Sequence, residues 1–583
     1  MNILFFSPNQ GIWPFTLPES LIANSLKLLG HKIIYLNCQK LYKDFCLTQN
    51  SLGLKFNSDQ NEKNRICNEC INKRELVVKK FRFENYYLNE FISEIDKKSI
   101  VSQVENMNFD QCFNFAQDGI AVGKKALYEF LLNHKKSSLD FSEAEISEYK
   151  NCFKNCWITF NAINVFLKKH SIHKVIMFNT LYSVNSVVAE VANKFKIDVY
   201  TLHAGLNLSD RYQKILFGKN ATVNFLRNVR DQWTRFKQST ITQDEASYVA
   251  AHFLELFKGE NNYAFSSVKS KNYFNIREKF LIPKDKKIIV ALMSSYDEQF
   301  ANLQVNSETF NMIFPTQIEW MYDLINFFKN NPELFLIIRV HPREFPRHAN
   351  AVLSEHARKL QHEFTNLPEN VKINWPHDNV SLYDLMEETD LFLSAWSSSG
   401  KEMSFFGRPV IIYSDDYIFY PHELNIYKNN KADYFNAIKD NLKSNFDFER
   451  IRMGFRWFAI DQNKAIIDIG DLCKIQENRD KNIIRRVFKK VLRTINSNLL
   501  LKFDLLGKNK KLKSIKRFED VLLNSANTPL DLITAQNVVT FEDETQFIKD
   551  ALKKIYFAMY GSETFDHSFP ETSLRYKLFK YIF

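Results

Sequence analysis

Short apolar runs that alternate with helical patterns restrict this chain to a small number of folds. The strand-like runs occupy residues 2–6, 32–36, 174–178, 198–202, 288–293, 334–340, 371–375, 391–395 and 410–413. Amphipathic helical patterns lie between several of them, as at residues 18–29 and 184–195. Because strands that alternate with helices at this spacing form parallel sheets, the sequence predicts an α/β fold.

The length of the chain indicates that it forms more than one domain. At 583 residues the chain is too long for one ordinary hydrophobic core. We predict a Rossmann-like domain with a cysteine-containing insertion over residues 1–275, a second Rossmann-like domain over 276–475 and a basic helical extension over 476–583. No apolar stretch reaches the ~18 residues that a bilayer span requires, and residues 1–6 lack the basic start of a signal peptide. We therefore expect a cytoplasmic protein.

One motif stands at the carboxyl end of the strand predicted at residues 334–340. It comprises Arg339, His341, Pro342 and Arg343. Open α/β sheets bind their ligands at the carboxyl ends of their strands. Basic and hydrogen-bonding side chains in this position therefore predict an anion site.

A second motif follows the strand predicted at residues 391–395. It comprises, in order, Ser397, Ser398, Ser399, Gly400, Lys401 and Glu402. A helix predicted over residues 400–406 would begin just after the three serines. Its start would offer backbone N–H groups, hydroxyl donors and a positive dipole end to a phosphate. The two motifs together predict a nucleotide-phosphate pocket.

These motifs resemble those of the bacterial GT-B glycosyltransferases that make capsule and lipopolysaccharide, a group that includes Kdo transferases, sialyltransferases and CDP-glycerol polymerases. The chain resembles the capsule polysaccharide biosynthesis branch over roughly residues 1–470, with His341-Pro342 and Ser397-Ser398 in place of that group's His-Pro and Ser-Ser motifs. The resemblance implies two Rossmann-like domains that face a cleft, an acceptor domain over residues 1–275 and a nucleotide-donor domain over 276–475. It places these motifs on the donor's phosphates and Glu402 on its ribose. It also implies a CMP-linked donor and no catalytic metal.

Further residues could join the donor site. Ser294 and Ser295 follow the strand predicted at residues 288–293 and would either contact the phosphates or cap the next helix. Arg339, Arg343 and Lys401 could neutralise the leaving nucleotide, or could simply be solvated strand and helix ends.

Two residues are candidates for the general base. His203 follows the strand predicted at residues 198–202, and an imidazole with a near-neutral pKa suits removal of a proton from an acceptor hydroxyl. Asp118, in Gln117-Asp118-Gly119, is the alternative and is closer to the acidic motif of the sialyltransferase-like relatives. Either residue could instead only satisfy backbone groups.

Four cysteines in the first domain predict a structural metal site. Cys67 and Cys70 have the spacing of a metal knuckle, and Cys38 and Cys46 lie upstream. A cytoplasmic protein rarely forms disulfides. The sequence therefore favours either a structural zinc ion or free thiols.

Positive charge is concentrated near the C-terminus. Between residues 481 and 517 there are thirteen Lys or Arg residues against one acid, Asp504, in a chain of net charge +11. Apolar residues recur there at helical spacing, so this stretch predicts a basic amphipathic helix that lies on an anionic membrane surface or packs on the catalytic domains. No recognition motif accompanies the charge, and we expect no nucleic acid partner.

The resemblance implies an inverting glycosyltransferase that moves a sugar from a nucleotide-activated donor to a surface polysaccharide or lipid-linked acceptor. We expect it in the cytoplasm, peripheral on the inner face of the cell membrane, with no catalytic cofactor. The alternatives are a CDP-glycerol-type glycerophosphotransferase, a nucleotide-sugar 2-epimerase and a non-catalytic capsule assembly or export factor of the same fold.

Overall fold

The computed structural model describes residues 1–205, 207, 210–258, 269–270, 274–306, 310–346, 351–442, 446–472, 513–561 and 571–583. These residues form two compact units. Unit 1 comprises Met1–Phe225, Phe300–Glu308 and Ala465–Ile533. Unit 2 comprises Leu226–Gln299, Thr309–Lys464 and Thr534–Phe583.

The strands, in chain order, are β1 (Asn2–Phe6), β2 (Lys32–Asn37), β3 (Glu84–Tyr87), β4 (Lys174–Phe178), β5 (Asp198–Ala204), β6 (Lys214–Lys219), β7 (Lys287–Leu292), β8 (Leu334–Arg339), β9 (Val371–Asn374), β10 (Leu391–Ser394), β11 (Val410–Ile412), β12 (Ile426–Tyr427) and β13 (Ile466–Asp468).

The α-helices, in chain order, are α1 (Trp13–Leu28), α2 (Leu47–Ser51), α3 (Gln60–Phe81), α4 (Glu94–Asn106), α5 (Phe109–Phe113), α6 (Val122–Lys125), α7 (Leu127–His134), α8 (Glu143–Lys169), α9 (Ser183–Lys194), α10 (Thr222–Asp231), α11 (Trp233–Phe236), α12 (Gln243–Lys258), α13 (Ile276–Phe280), α14 (Tyr296–Asn306), α15 (Gln317–Lys329), α16 (Glu355–Glu363), α17 (Leu382–Leu385), α18 (Ser399–Phe405), α19 (Lys431–Asn441), α20 (Phe448–Ala459), α21 (Lys513–Leu523), α22 (Phe541–Tyr560) and α23 (Leu574–Ile582).

Unit 1 is built on a seven-stranded sheet of order β13-β6-β5-β4-β1-β2-β3. Both faces of this sheet are covered, because alternate side chains of a strand point to opposite faces. Leu4 and Phe6 of β1 pack in one hydrophobic core, and Ile3 and Phe5 pack in another. Burial on both faces explains why β1 is apolar at every position after the first.

The two strands at one side of the sheet of unit 1, β6 and the edge strand β13, depart from the predicted parallel arrangement. The pairs among β1 to β5 are parallel, whereas β6 runs antiparallel to β5 and β13 antiparallel to β6. Only residues 205–213 join β5 to β6. A connection this short can return an antiparallel strand but is too short for a parallel crossover.

Unit 2 is built on a six-stranded sheet of order β12-β11-β10-β7-β8-β9, in which every pair of neighbouring strands is parallel. The fold class predicted from the sequence, α/β with two Rossmann-like parallel-sheet units, is confirmed. Two units of this kind are the components of the GT-B class.

The predicted domain boundaries do not coincide with the two units. Residues 476–583 were expected to form a separate extension, but α21 belongs to unit 1, and α22 and α23 belong to unit 2. The cause is apolar packing: Phe518 of α21 lies in a core of unit 1, with its ring 4.8 Å from that of Phe217. Most of the basic stretch at residues 481–517 lies outside the described residues, and its membrane role stays a prediction.

Candidate functional site

The sheet of unit 2 has a topological switch point between β7 and β10. From β7 the chain adds β8 and β9 on one side of the sheet and then returns to add β10, β11 and β12 on the other. The loops that follow β7 and β10 therefore diverge and leave a crevice at the carboxyl edge, where sheets of this type bind ligands. The predicted donor-site residues stand at the ends of β7, β8 and β10, in the loops that follow these strands or in the first turn of α18.

His341 presents a hydrogen-bond donor at this edge. It precedes the short 3-10 helix Pro342–Glu344, and its Nδ1 accepts a hydrogen bond of 3.2 Å from the backbone N–H of Arg343. A backbone N–H can only donate, so Nδ1 must carry a lone pair and the proton of the neutral ring is on Nε2. An imidazole N–H is suited to bind a phosphate oxygen. Pro342, whose fixed φ suits the first position of a helical turn, begins the helix that sets this arrangement.

The two arginines of the predicted site are already paired within unit 2. Arg339, the last residue of β8, donates to Asn374 Oδ1 at 2.5 Å and to the carbonyl of Val380 at 2.9 Å, and burial lowers its pKa to about 10. Arg343 contacts the buried carboxylate of Asp297 at 3.1 Å. The geometry supports a positioning role for Arg339 rather than the predicted contact with phosphate.

Hydrogen bonds link the loops on the two sides of the switch point. The Ser294 hydroxyl accepts a hydrogen bond of 3.2 Å from the backbone N–H of Trp396, so the loop after β7 holds the loop after β10. Ser295 donates to Asp297 at 3.0 Å. Both serines are buried. They fix the shape of the crevice, and the structure gives them protein partners instead of leaving them to a ligand.

The serine motif begins α18 as predicted. Ser397 Oγ accepts a hydrogen bond of 3.2 Å from the Ser399 backbone, while Ser398 is exposed. Gly400 is required for packing, because a Cβ there would lie 2.3 Å from the Tyr420 hydroxyl. These contacts leave the Ser398 hydroxyl as the exposed donor of the motif.

The side chains of Lys401 and Glu402 have different partners. The Lys401 ammonium is buried and pairs with Asp461, so a protein carboxylate already offsets its charge. A role for Lys401 in neutralising the leaving nucleotide stays a prediction. Glu402 accepts a hydrogen bond of 3.0 Å from the Tyr383 hydroxyl, and burial raises the pKa of Glu402. The oriented carboxyl group of Glu402 is compatible with the predicted contact to ribose.

His203, in unit 1, has the opposite protonation pattern to His341. It is the last residue but one of β5, and its Nδ1 is 2.8 Å from the carbonyl oxygen of Ala204. A carbonyl can only accept, so Nδ1 carries the proton and Nε2 of the neutral ring carries a lone pair. Burial lowers the pKa of His203, which keeps the ring neutral at neutral pH. The geometry gives His203 what a general base needs.

Asp118 occupies an exposed turn instead of a strand end. Its φ is +52°, and its carboxylate pairs with Lys194 at 3.4 Å. Lys194 is the last residue of α9, which runs back from the carboxyl end of β4 to the start of β5 at Asp198. Asp118 is therefore held near the amino edge of the sheet, opposite the edge at which His203 stands.

Glu19 is a buried titratable residue that the sequence did not reveal. Burial raises its pKa to about 8, and the hydroxyls of Ser7 and Tyr35 lie beside its carboxyl group. Glu19 is on α1, where the residues from Thr16 to Ala23 are all buried. On a helix that is buried on every side, the hydrophobic pattern has no polar face that would show which charged residues are exposed. The sequence therefore gave no sign that Glu19 is buried.

The four predicted metal ligands of unit 1 line one small cavity, together with residues that follow β1 and β2. They are Cys38, Cys46, Cys67 and Cys70. Burial raises the pKa of Cys38 to about 12 and that of Cys70 to about 11. Within the described residues, no three His, Cys, Asp or Glu side chains are arranged so that they could hold one metal ion. Zinc ligation stays a prediction.

Comparisons with known proteins add little to this site. No protein-family model and no curated protein sequence matches the chain. A β-Kdo 2,4-transferase structure of Thermosulfurimonas dismutans KpsC aligns at 11% identity and a TM-score of 0.30, over 48% of this chain and 79% of its own. The corresponding β-Kdo 2,7-transferase aligns at 14% and 0.26, over 54% and 81%.

A UDP-GlcNAc 2-epimerase from Neisseria meningitidis, bound to UDP-GlcNAc, aligns at 12% identity and a TM-score of 0.24, over 79% of this chain and 97% of its own. Alignments with TM-scores of this size support no inference about activity, and the fold assignment rests on the strand orders given above. Across the described ranges, no helix has both the length and the apolar character needed to cross a bilayer.

Proposed function

We propose that this chain is a glycosyltransferase that uses a nucleotide-activated sugar. The observation that carries the proposal is the crevice at the switch point of unit 2, where the His341 donor and the serine motif stand at the ends of β8 and β10. A preorganised donor at a sheet's carboxyl edge suits the phosphate of a nucleotide. The resemblance of the His-Pro and Ser-Ser motifs favours CMP as that nucleotide.

His203 is the proposed general base. The oxygen of an acceptor hydroxyl would form a bond to the anomeric carbon while the bond from that carbon to the phosphate oxygen breaks, and its electron pair leaves with the nucleotide. His203 Nε2 would take the hydroxyl proton. A single displacement of this kind inverts the configuration at the anomeric carbon. No step requires a metal, because hydrogen-bond donors at the phosphate offset the charge of the leaving group.

The acceptor is proposed to be a surface glycan or its lipid-linked precursor, on the resemblance of the motifs alone. An acceptor on a lipid would bring the protein to the inner face of the cell membrane. The basic stretch at residues 481–517 is the part of the sequence that favours such a surface.

Thermal unfolding in the presence of CMP, CDP, UDP and GDP tests the proposal. A ligand that binds the native state raises its stability, so the true nucleotide should raise the unfolding temperature most. We expect CMP or a CMP-sugar to do so, and CMP release from a CMP-sugar to require an acceptor. Stabilisation by none of the four would contradict the proposal, and stabilisation without turnover for any acceptor would favour a non-catalytic assembly factor.

A further inference from the structure

A row of stacked rings lies at the carboxyl edge of the sheet of unit 1. Phe178 is the last residue of β4, and its ring is 3.9 Å from that of Phe15, with 14° between the ring planes. The Phe178 ring is also 5.8 Å from the imidazole of His203, at 28°. Because β1 and β5 are the two neighbours of β4, the rings come from adjacent parts of one edge. The row includes the residue proposed above as the general base.

Two aromatic residues beside this row are partly open to solvent. Phe178 is buried, but Phe15 and Tyr182 are each only half-buried. Their rings are 6.2 Å apart and within 24° of parallel. Phe15 lies in the first turn of α1, and Tyr182 directly precedes α9, so both stand where a helix begins after a strand. We call Phe15 and Tyr182 the aromatic platform.

The backbone that holds Tyr182 is fixed by side-chain amides. Asn179 has a φ of +53°, and its Oδ1 accepts a hydrogen bond of 3.0 Å from the backbone N–H of Leu181. Asn185 Nδ2 donates to the carbonyl oxygens of Phe178 at 2.9 Å and Asn179 at 3.0 Å. The connection between β4 and α9 is therefore ordered before a ligand arrives, and a ligand does not have to offset the entropy of ordering it.

The chemistry of ring faces indicates what the platform binds. The face of an aromatic ring carries partial negative charge. The C–H bonds of a pyranose are partly positive, because each ring carbon is bonded to oxygen. One face of a pyranose presents several such C–H bonds together, while its hydroxyl groups stay at the rim. A sugar ring can therefore stack on the platform and still offer hydroxyl groups to polar side chains nearby.

Thr180 is a second indication of a polar ligand, independent of the rings. It lies between Phe178 and Tyr182 in the chain and is 3% exposed, and its hydroxyl has no hydrogen-bond partner within the described residues. A buried hydroxyl without a partner costs free energy, so such groups usually bind water or a ligand. A hydroxyl group of a sugar can satisfy Thr180, whereas a hydrocarbon chain cannot. The loop therefore favours a carbohydrate over a lipid tail.

We propose that Phe15 and Tyr182 hold a pyranose ring of the acceptor by stacking, with one acceptor hydroxyl directed to His203. Nδ1 of His203 is occupied by the carbonyl oxygen of Ala204, which leaves Nε2 to accept the hydroxyl proton. The inference rests on the proposed function, because it takes His203 as the base. It adds the place where the acceptor binds and the part of the acceptor that is recognised.

Saturation-transfer difference NMR on the full-length protein tests the contact. The probes are the methyl glycosides of glucose, galactose, mannose and N-acetylglucosamine, with geranyl phosphate as a lipid probe. We expect at least one glycoside to receive saturation, mainly at the C–H protons of one ring face. Phe15→Leu keeps an apolar side chain but removes the flat face, and should raise the Kd of that glycoside by about two- to tenfold. Phe15→Tyr keeps the face and should leave the Kd unchanged.

The matched control is Phe113→Leu, which should bind as the wild type does. Phe113 is also half-buried and stacked on another phenylalanine, Phe109, at 5.7 Å, but it lies on α5. Circular dichroism establishes that each variant is folded, and Tyr182→Leu replaces Phe15→Leu if that variant is not.

Three results would overturn the proposal: saturation of no glycoside, an equal Kd for the wild type and Phe15→Leu, or saturation of geranyl phosphate alone. Each of them concerns the platform in unit 1. Failure of the proposed function would be seen separately, as the absence of thermal stabilisation by any nucleotide. Sugar binding that depends on Phe15 in a protein that no nucleotide stabilises would contradict the proposed function and leave the platform as a carbohydrate site.

Discussion

Two histidines at the carboxyl edges of two sheets have opposite hydrogen-bonding roles. In unit 2, His341 accepts a hydrogen bond at Nδ1 and therefore offers a proton at Nε2. In unit 1, His203 donates from Nδ1 and therefore offers a lone pair at Nε2. The same side chain is suited to hold an anion in one place and to remove a proton in the other. The neighbouring backbone group, an N–H in one case and a carbonyl in the other, makes the difference.

Buried polar groups without a protein partner occur beside both edges. In unit 2, Ser294 accepts a hydrogen bond from Trp396 and Arg343 pairs with Asp297, but the hydroxyls of Ser394 and Tyr413 have no hydrogen-bond partner within the described residues. In unit 1 the buried Glu19 has a pKa raised to about 8, and the side chain of Gln10 has no protein partner within the described residues. The two edges therefore differ in the protonation pattern of their histidines and not in how completely their polar groups are paired.

Replacement of His203 should have the largest effect. His203→Ala removes the proposed base and should lower turnover by about 10²- to 10⁴-fold, the usual contribution of general-base catalysis. Nucleotide affinity, measured by calorimetric titration, should stay unchanged. Asp118→Ala is the matched control. If Asp118→Ala abolished turnover while His203→Ala did not, Asp118 would be the general base and His203 would not.

Replacement of Lys401 tests whether this residue stabilises unit 2 or binds the nucleotide. Lys401→Met leaves the buried carboxylate of Asp461 without its cation and should lower the free energy of unfolding by about 3–5 kcal/mol. The control is Lys431→Met, whose pair with Asp323 is exposed and should contribute about 1 kcal/mol or less. Chemical denaturation measures both. If Lys401→Met kept the stability and lost nucleotide affinity, Lys401 would belong to the phosphate site after all.

Removal of the His341 donor should have a moderate effect on binding. His341→Ala should weaken nucleotide affinity by about 1–3 kcal/mol, the range for loss of a hydrogen bond to a charged group. Calorimetric titration of the folded variant measures this. Unchanged affinity would remove His341 from the site.

The smallest expected effect is a dependence of kcat/KM on pH, and this effect is specific to His203. Burial lowers the pKa of His203 below its usual value of 6.5, and only the neutral ring acts as a base. The rate should therefore be constant around neutral pH and fall on acidification only below about pH 6.5. An acidic limb above that pH would show that another group is the base.

The sequence predicted the sheet of unit 2 closely because buried parallel strands are continuous apolar runs. Residues 288–293 and 334–340 correspond to β7 and β8 within one residue, and the helix predicted at 400–406 corresponds to α18. Both motifs stand where the strand order requires them to be, at the carboxyl edge.

Ion pairs and packing between residues that are far apart in the sequence could not be predicted from it. Lys401 and Asp461 are sixty positions apart, so nothing near Lys401 indicated that its charge is neutralised within the protein. Likewise, the apolar faces of α21 and α22 resemble any amphipathic helix, and only the tertiary fold assigns them to different units. Local patterns predict elements, but the partners of buried polar groups depend on contacts between elements.

Replacement of each histidine by glutamine tests the central claim most directly. A glutamine amide can donate a hydrogen bond but is not a base. His341→Gln should therefore keep nucleotide affinity within about 1 kcal/mol of the wild type and bind more tightly than His341→Ala. His203→Gln should be as slow as His203→Ala. The account would be contradicted if His341→Gln bound no better than His341→Ala, or if His203→Gln retained turnover.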